Sequence, residues 1–183
     1  LPVVEINEES LTVERAAIIN EYELVGILEP EEVQTIMLLL NPNKANIRNI
    51  NIEEDGSTVS LGAVDVSMTD DLDLKGDKLS ANYNISLYCY IDSFIIGNNS
   101  LEDRNFMNKV KNEASKMVSD TAVNTIYKLQ HTYKTDLLEV KDKLFKFHKA
   151  DYKKIEDKYD EVFEAADINI NLNTEIKSTG LVK

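Results

Sequence analysis

Two histidines, one cysteine and a cluster of aspartates are where chemistry could begin in this chain of 183 residues. His131 and His148 have no cysteine or acidic neighbour at metal-ligand spacing, and a zinc site needs three or four ligands, so both read as helix-surface imidazoles. Asp70, Asp71 and Asp73 could in principle hold calcium. Their segment, Asp70–Gly76, lacks the sixth-position glycine and distal glutamate of a calcium-binding helix-loop-helix and reads as a solvated acidic loop. Cys89 alternates onto the apolar side of a strand, where a small hydrophobic thiol is expected rather than a nucleophile. There is no Gly-x-Ser-x-Gly elbow, phosphate-binding loop or dinucleotide fingerprint, and no acidic pair stands out for glycosidic chemistry. The residues nominate no catalytic, cofactor-binding or metal site, and the chain is expected not to be an enzyme.

What these residues sit on is easier to read. With 43% hydrophobic residues, six glycines and three prolines, the composition is that of a folded globular domain with an interior. A formal charge of −13 repels phosphates and anionic headgroups, which argues against broad electrostatic binding to nucleic acid or lipid. No stretch approaches the roughly 20 apolar residues that span a bilayer. The β-branched runs Val3–Ile6, Val13–Ile19 and Tyr22–Leu28 read as strands. Glu29-Pro30-Glu31-Glu32 then opens a helix that Asn41-Pro42-Asn43 stops. Ile47–Glu54 leads into a hairpin turn at Asp55-Gly56, and the next strand changes phase at Gly62-Ala63, a bulge signal; from there Val64, Val66 and Met68 are expected inward. In the cleanest strand Leu79, Ala81, Tyr83, Ile85, Leu87, Cys89 and Ile91 face one side, with Tyr88 and Tyr90 on the other. A capping-box-like start at Ser100 and Asp103 precedes Phe106, Val110, Ala114, Val118, Ala122 and Ile126 at steps of four, a helix running on to Gln130 and Tyr133. A short aromatic helix carries Tyr152, Ile155, Tyr159 and Phe163. It is followed by the alternating strand Asp167–Lys177, in which Ile168, Ile170, Leu172 and Ile176 point inward.

One stretch departs from the average. Lys134–Lys158 holds eight of the 20 basic residues against six acidic ones, interleaved with Leu138, Leu144, Phe145, Phe147 and Tyr152. It reads either as a core-packed helix pair with a solvated lysine face or as a docking face for a partner or membrane surface. Tyr88 and Tyr90 are candidates for contact too, because aromatics on polar faces mark interfaces.

In order and spacing, these segments resemble the C-terminal domain of the Ger(x)C family, the lipoprotein C subunits of spore germinant receptors. The opening, Glu14-Arg15-Ala16-Ala17-Ile18-Ile19 through Tyr22-Glu23-Leu24-Val25-Gly26-Ile27-Leu28, is similar to the family's, and Glu31-Glu32 matches the acidic start of its next helix. Gln130 through Asp136 resembles its "Q … D" at a helix end. Tyr152-Lys153-Lys154-Ile155 and Tyr159-Asp160-Glu161-Val162-Phe163 resemble its paired aromatic motifs, with tyrosines where the family has tryptophans; Ile168–Ile176 and Gly180-Leu181 resemble its final strand and closing glycine. Leu138-Glu139-Val140 lacks the glycine that usually follows the aspartate.

The resemblance implies a non-enzymatic subunit acting in receptor assembly and nutrient-signal relay. It would be anchored by an upstream lipidated cysteine to the outer face of the spore inner membrane, beside the membrane-embedded A and B subunits, with no nucleic-acid partner and no cofactor. Residues 1–183 are expected to form a single C-terminal domain, soluble as a fragment, of a lipoprotein about twice this size. The expected fold is α+β: a twisted, largely antiparallel sheet of about five or six strands with helices packed on one face. Strands are expected from 1–28, 45–95 and 167–179, and helices from 30–40 and 101–163. The other function class is an extracytoplasmic small-molecule (nutrient) binding module, which requires a concave apolar pocket with a few convergent polar groups.

Overall fold

The computed structural model describes residues 1–6, 11–20, 22–45, 47 and 50–179. Strands β1 (Pro2–Ile6), β2 (Leu11–Asn20) and β3 (Glu23–Leu28) form one antiparallel sheet, and helix α1 (Pro30–Leu40) follows directly. Pro30 takes the first helical turn, and the Glu32 carboxylate accepts the Glu29 N–H at 2.8 Å, closing the acidic helix start read from the sequence.

Strands β4 (Ile50–Glu54), β5 (Ser57–Lys75) and β6 (Lys78–Ile95) are joined by two-residue turns. Asp55 and Gly56 both have positive φ, 48° and 76°, the conformation that matches strand twist in a tight hairpin. Two register shifts curl the long β5–β6 ribbon. The one foreseen at Gly62-Ala63 makes Val64 the extra residue and turns it outward, 60% exposed, while Val66 is buried as expected. Helix α2 (Arg104–Tyr127), α3 (Val140–Phe147), α4 (Lys149–Ile155) and α5 (Tyr159–Glu164) then lead to β7 (Asp167–Thr179). The whole inner face of β6, Leu79 to Ile91 at every second residue, is buried, as the alternation requires. Phe106, Val110, Ala114, Ala122 and Ile126 of α2 are buried as well, and Val118 is partly so.

The architecture is α+β, with largely antiparallel pairing, and it differs from the expectation in several particulars. There are two sheets rather than one, ordered β1-β2-β3 and β4-β5-β6-β7. Antiparallel pairing lets the first three strands satisfy backbone groups among themselves, and α1 covers Ile18 and Leu28 at one end. Strand β7 lies parallel to β6, because the chain returns through the helical layer before re-entering the sheet. Ile168, Ile170, Leu172 and Ile176 do point inward but are only half-buried, because β7 is an edge strand; Thr174 is its fully buried residue and bonds Ser115 of α2.

Asp70–Lys75, expected as a loop, continues β5 opposite Lys78–Tyr83, and the turn is Gly76-Asp77. Leu72 and Leu74 face inward there, so the alternation survives beneath the aspartates. The cap of α2 is Asp103, whose carboxylate accepts the Asn105 and Phe106 N–H groups, while Ser100 serves only the turn before it. The single aromatic helix is broken in two by a 3-10 turn at Glu156–Lys158. Gly180 and Leu181, and Arg48 and Asn49 ahead of β4, lie outside the described residues.

Candidate interaction site

The polar core of the helical layer is built at the end of α2. Its last turn widens to a π-helix over Lys128–Thr132, closed by the Tyr133 N–H on the Lys128 carbonyl at 2.8 Å. The extra residue per turn rotates Leu129 and Gln130 together into the interior. Gln130 Nε2 donates to the carbonyls of Phe163 and Ala166, each at 2.9 Å, holding the step from α5 into β7. The Tyr133 hydroxyl donates to the Ile27 carbonyl at 3.3 Å, and its ring lies on Gly26 so closely that a Cβ there would sit 2.2 Å from it. Asp136 accepts the Leu138 N–H at 2.9 Å, the Lys141 N–H at 2.8 Å and the Tyr159 hydroxyl at 2.6 Å. Burial first, and then the Asp136 carboxylate, pushes the Tyr159 hydroxyl far above the ordinary tyrosine range, so it remains a donor. Through Gln130, Tyr133 and Asp136 the segment after α2 thus fastens the entry to β7, the amino-terminal sheet and the lysine-bearing helices.

Glu32 adds a fourth tie. Its nearly buried carboxylate pairs with Lys128, joining α1 to α2. Sequence reasoning marked Gln130, Asp136 and Gly26 only as parts of a resemblance, and no local signal linked them, since Tyr133 and Ile27 are 106 positions apart.

Glu139 stands at φ 56° just before α3, in the left-handed region, at the place where the resemblance expected a glycine. A side chain there costs about 1–2 kcal/mol, partly offset by the freedom glycine adds to the unfolded chain. Glu139→Gly is therefore expected to raise stability by about 0.5–1 kcal/mol, seen as a melting temperature higher by about 1–4 °C. An unchanged or lowered melting temperature would show that the Glu139 side chain contributes more than its backbone costs.

The stretch 134–158 resolves into both halves of its reading. Most lysines are occupied within the domain: Lys134 with Glu164 at 3.1 Å, Lys154 with Asp151 at 2.7 Å, Lys158 with Asp77 at 2.6 Å and Lys143 with Asp70. Lys143 also lies over the Tyr83 ring, Lys141 over Tyr159 and Lys149 over Phe145, each within 5.4 Å of the ring centre. Beneath them Phe145, Tyr152, Tyr159 and Phe163 follow one another, edge-on, tilted and then stacked, with neighbouring centroids 5.9–6.3 Å apart. Lys146 and Lys153 form no ion pair among the described residues, and with Lys149 and Phe147, which is 78% exposed, they stay exposed on α3 and α4. That small basic and aromatic patch is what remains available to a partner.

Tyr88 and Tyr90 lie on the opposite sheet face, so the structure does not bring them to this patch. Lys177 Nζ sits 3.9 Å above the Tyr88 ring, and Tyr90 lies flat over Gly62, where a Cβ would come within 2.9 Å of its hydroxyl. Asp70 faces inward beside Tyr83 while Asp71 and Asp73 face outward, so the three cannot share a cation. His131 stacks on Tyr127 at the helix surface, and His148 occupies the α3–α4 junction. Cys89 is fully buried, and burial pushes its thiol up to about 11, which leaves little thiolate at neutral pH. No group of three or more His, Cys, Asp or Glu side chains converges among the described residues. No helix there is long and apolar enough to cross a membrane. The cavity between α1, α2 and β4, lined by Glu31, Gln34, Leu38 and Thr121, encloses about 110 Å³. An apolar groove of about 430 Å³ between β2 and α1 has almost no polar group to orient a solute.

Comparison with known proteins agrees with this geometry. A family model described as spore germination B3/GerAC-like, C-terminal, matches residues 14–180. The crystal structure of the GerBC protein superposes with a TM-score of 0.82 at 18% identity, covering 97% of this chain and 55% of that one. The chain therefore spans about half the length of that protein. Among curated proteins none matches.

Proposed function

The chain belongs to the spore germination B3/GerAC-like C-terminal family, and from that premise we propose that it acts in assembly and signal relay within a spore germinant receptor. A role in spore germination follows from the family itself. In the proposed reading residues 1–183 are the C-terminal domain of a longer lipoprotein. An anchor upstream of this chain holds it to the outer face of the spore inner membrane, and its partners are the membrane-embedded A and B subunits. The chemistry is contact rather than catalysis: polar side chains such as Gln130, Tyr133 and Asp136 are spent on holding elements together.

The observation that carries the reading is the exposed patch of α3 and α4. Lys146, Lys149 and Lys153 are exposed close in sequence to the exposed Phe147, in a stretch that holds eight basic and six acidic residues within a chain of net charge −13, a local reversal of sign suited to an acidic partner surface. Reversing the three lysines to glutamate is expected to leave the fold intact, because surface charges contribute little to stability. Recovery of the A and B subunits with the tagged variant is expected to fall about tenfold or more, corresponding to at least about 1.4 kcal/mol of lost contact. Undiminished recovery would remove this face from the interface.

A further inference from the structure

The amino-terminal sheet is buried at one end only. Nine of the eighteen exposed large apolar side chains among the described residues fall within the first 25 positions. Ile6 and Leu11 are cross-strand partners, 79% and 62% exposed, and Val4 and Val13 follow at the two-residue spacing of one sheet face. Near the end of the sheet that meets α1, Ile18 and Leu28 are buried. A contiguous apolar patch of this kind marks a surface that another surface covers.

The charges around the patch select what covers it. The described residues of the sheet's strands carry Glu5, Glu14 and Glu23 against a single basic side chain, Arg15, in a chain of net charge −13. That guanidinium is already committed to Glu5 at 2.6 Å and Glu29 at 2.8 Å. Such a surface is repelled by anionic headgroups, which attract polybasic segments, and by a second copy of itself. A neighbour within the same polypeptide has neither difficulty, because tethering supplies an effective concentration that a free partner lacks. In GerBC nearly half the chain lies outside the part that superposes on this one.

We propose that the exposed face of the β1–β2–β3 sheet is an intramolecular docking surface, covered by the portion of the longer protein that lies outside this chain. The inference rests on the reading of this chain as one domain of a longer lipoprotein. It is tested on the longer protein without its lipid, comparing wild type with the double variant Leu11→Asp, Val13→Asp by small-angle scattering and limited proteolysis. Both side chains are exposed here, so this domain should fold unchanged in the variant.

The expected result is a compact wild type and a variant whose radius of gyration is larger by roughly a fifth, as two bodies on a linker, with new cleavage between them. Identical scattering and cleavage would overturn the proposal. So would a wild-type dimer that the variant converts to monomer, which would assign the face to a second copy. Flotation of the wild type, but not the variant, with anionic phospholipid vesicles would assign it to the membrane and also overturn it. None of these readouts involves the A and B subunits, so a failure of the receptor-assembly reading leaves the result interpretable. A protein no longer than this chain would instead remove the reading on which the inference rests.

Discussion

Asp136→Ala is expected to destabilise the domain by about 2–4 kcal/mol, among the largest losses available to a single polar residue here. The substitution strips the acceptor from three donors at once: the Leu138 and Lys141 N–H groups and the Tyr159 hydroxyl. Bonds to an ionised acceptor contribute about 1.5–3 kcal/mol each, but water can reach the Lys141 amide, so the sum is not fully realised. Tyr159→Phe removes one of the three bonds and should cost about 1.5 kcal/mol. Because both changes break the same bond, the double variant should be more stable than additivity requires, by about 1 kcal/mol. Urea unfolding of the four proteins measures this. Strict additivity would mean that the carboxylate and hydroxyl are not coupled, and the node would have to be redrawn without its link to α5.

The second large effect is expected at Gly26. Gly26→Ala places a methyl group where the Tyr133 ring now lies, with the nearest ring carbon 2.2 Å away. The ring must leave, taking with it the hydroxyl bond to Ile27 and the contact between the α2 end and β3. A cost of about 2–4 kcal/mol is expected, in the range of overpacking plus a lost hydrogen bond. In a Tyr133→Ala background the same substitution meets no ring. There it should be close to neutral, or stabilising by a few tenths of a kcal/mol, because alanine restricts the unfolded chain. Equal costs in the two backgrounds would refute the ring contact as the reason for the glycine.

How far the sequence foretold these features depends on the range of the interaction. Strand β6 was legible residue by residue, because alternation is a local signal and every second side chain from Leu79 to Ile91 is buried. The Asp55-Gly56 turn, the Gly62-Ala63 bulge and the acidic start of α1 were legible for the same reason. The end of β5 was misread because Asp70, Asp71 and Asp73 mask the inward Leu72 and Leu74, and acidic runs look like loops.

Pairing partners are not local. Nothing in Val13–Ile19 says whether it joins a large sheet or closes a small one, and nothing in Asp167–Lys177 gives its direction beside β6. The Gln130, Tyr133 and Asp136 node was visible only as spacing, since each side chain holds an element far away in the chain and obeys no period. The lysines are a further case of long-range contact. Composition left them open to two readings, a solvated face on a packed helix pair or a docking face. Ion pairs and aromatic contacts, several of them not local in sequence, occupy most of them, leaving Lys146 and Lys153 without an ion pair among the described residues.

Assembly and nutrient capture make opposite demands on one measurement: the nutrient dose-response of germination in spores carrying the Lys146→Glu, Lys149→Glu, Lys153→Glu protein, with receptor level quantified in the same spores. A domain that assembles the receptor should, when altered there, lower the receptor level and the maximal response, leaving the half-maximal nutrient concentration where it was. A shifted half-maximal concentration at an undiminished receptor level would contradict that role and make this domain part of the nutrient site.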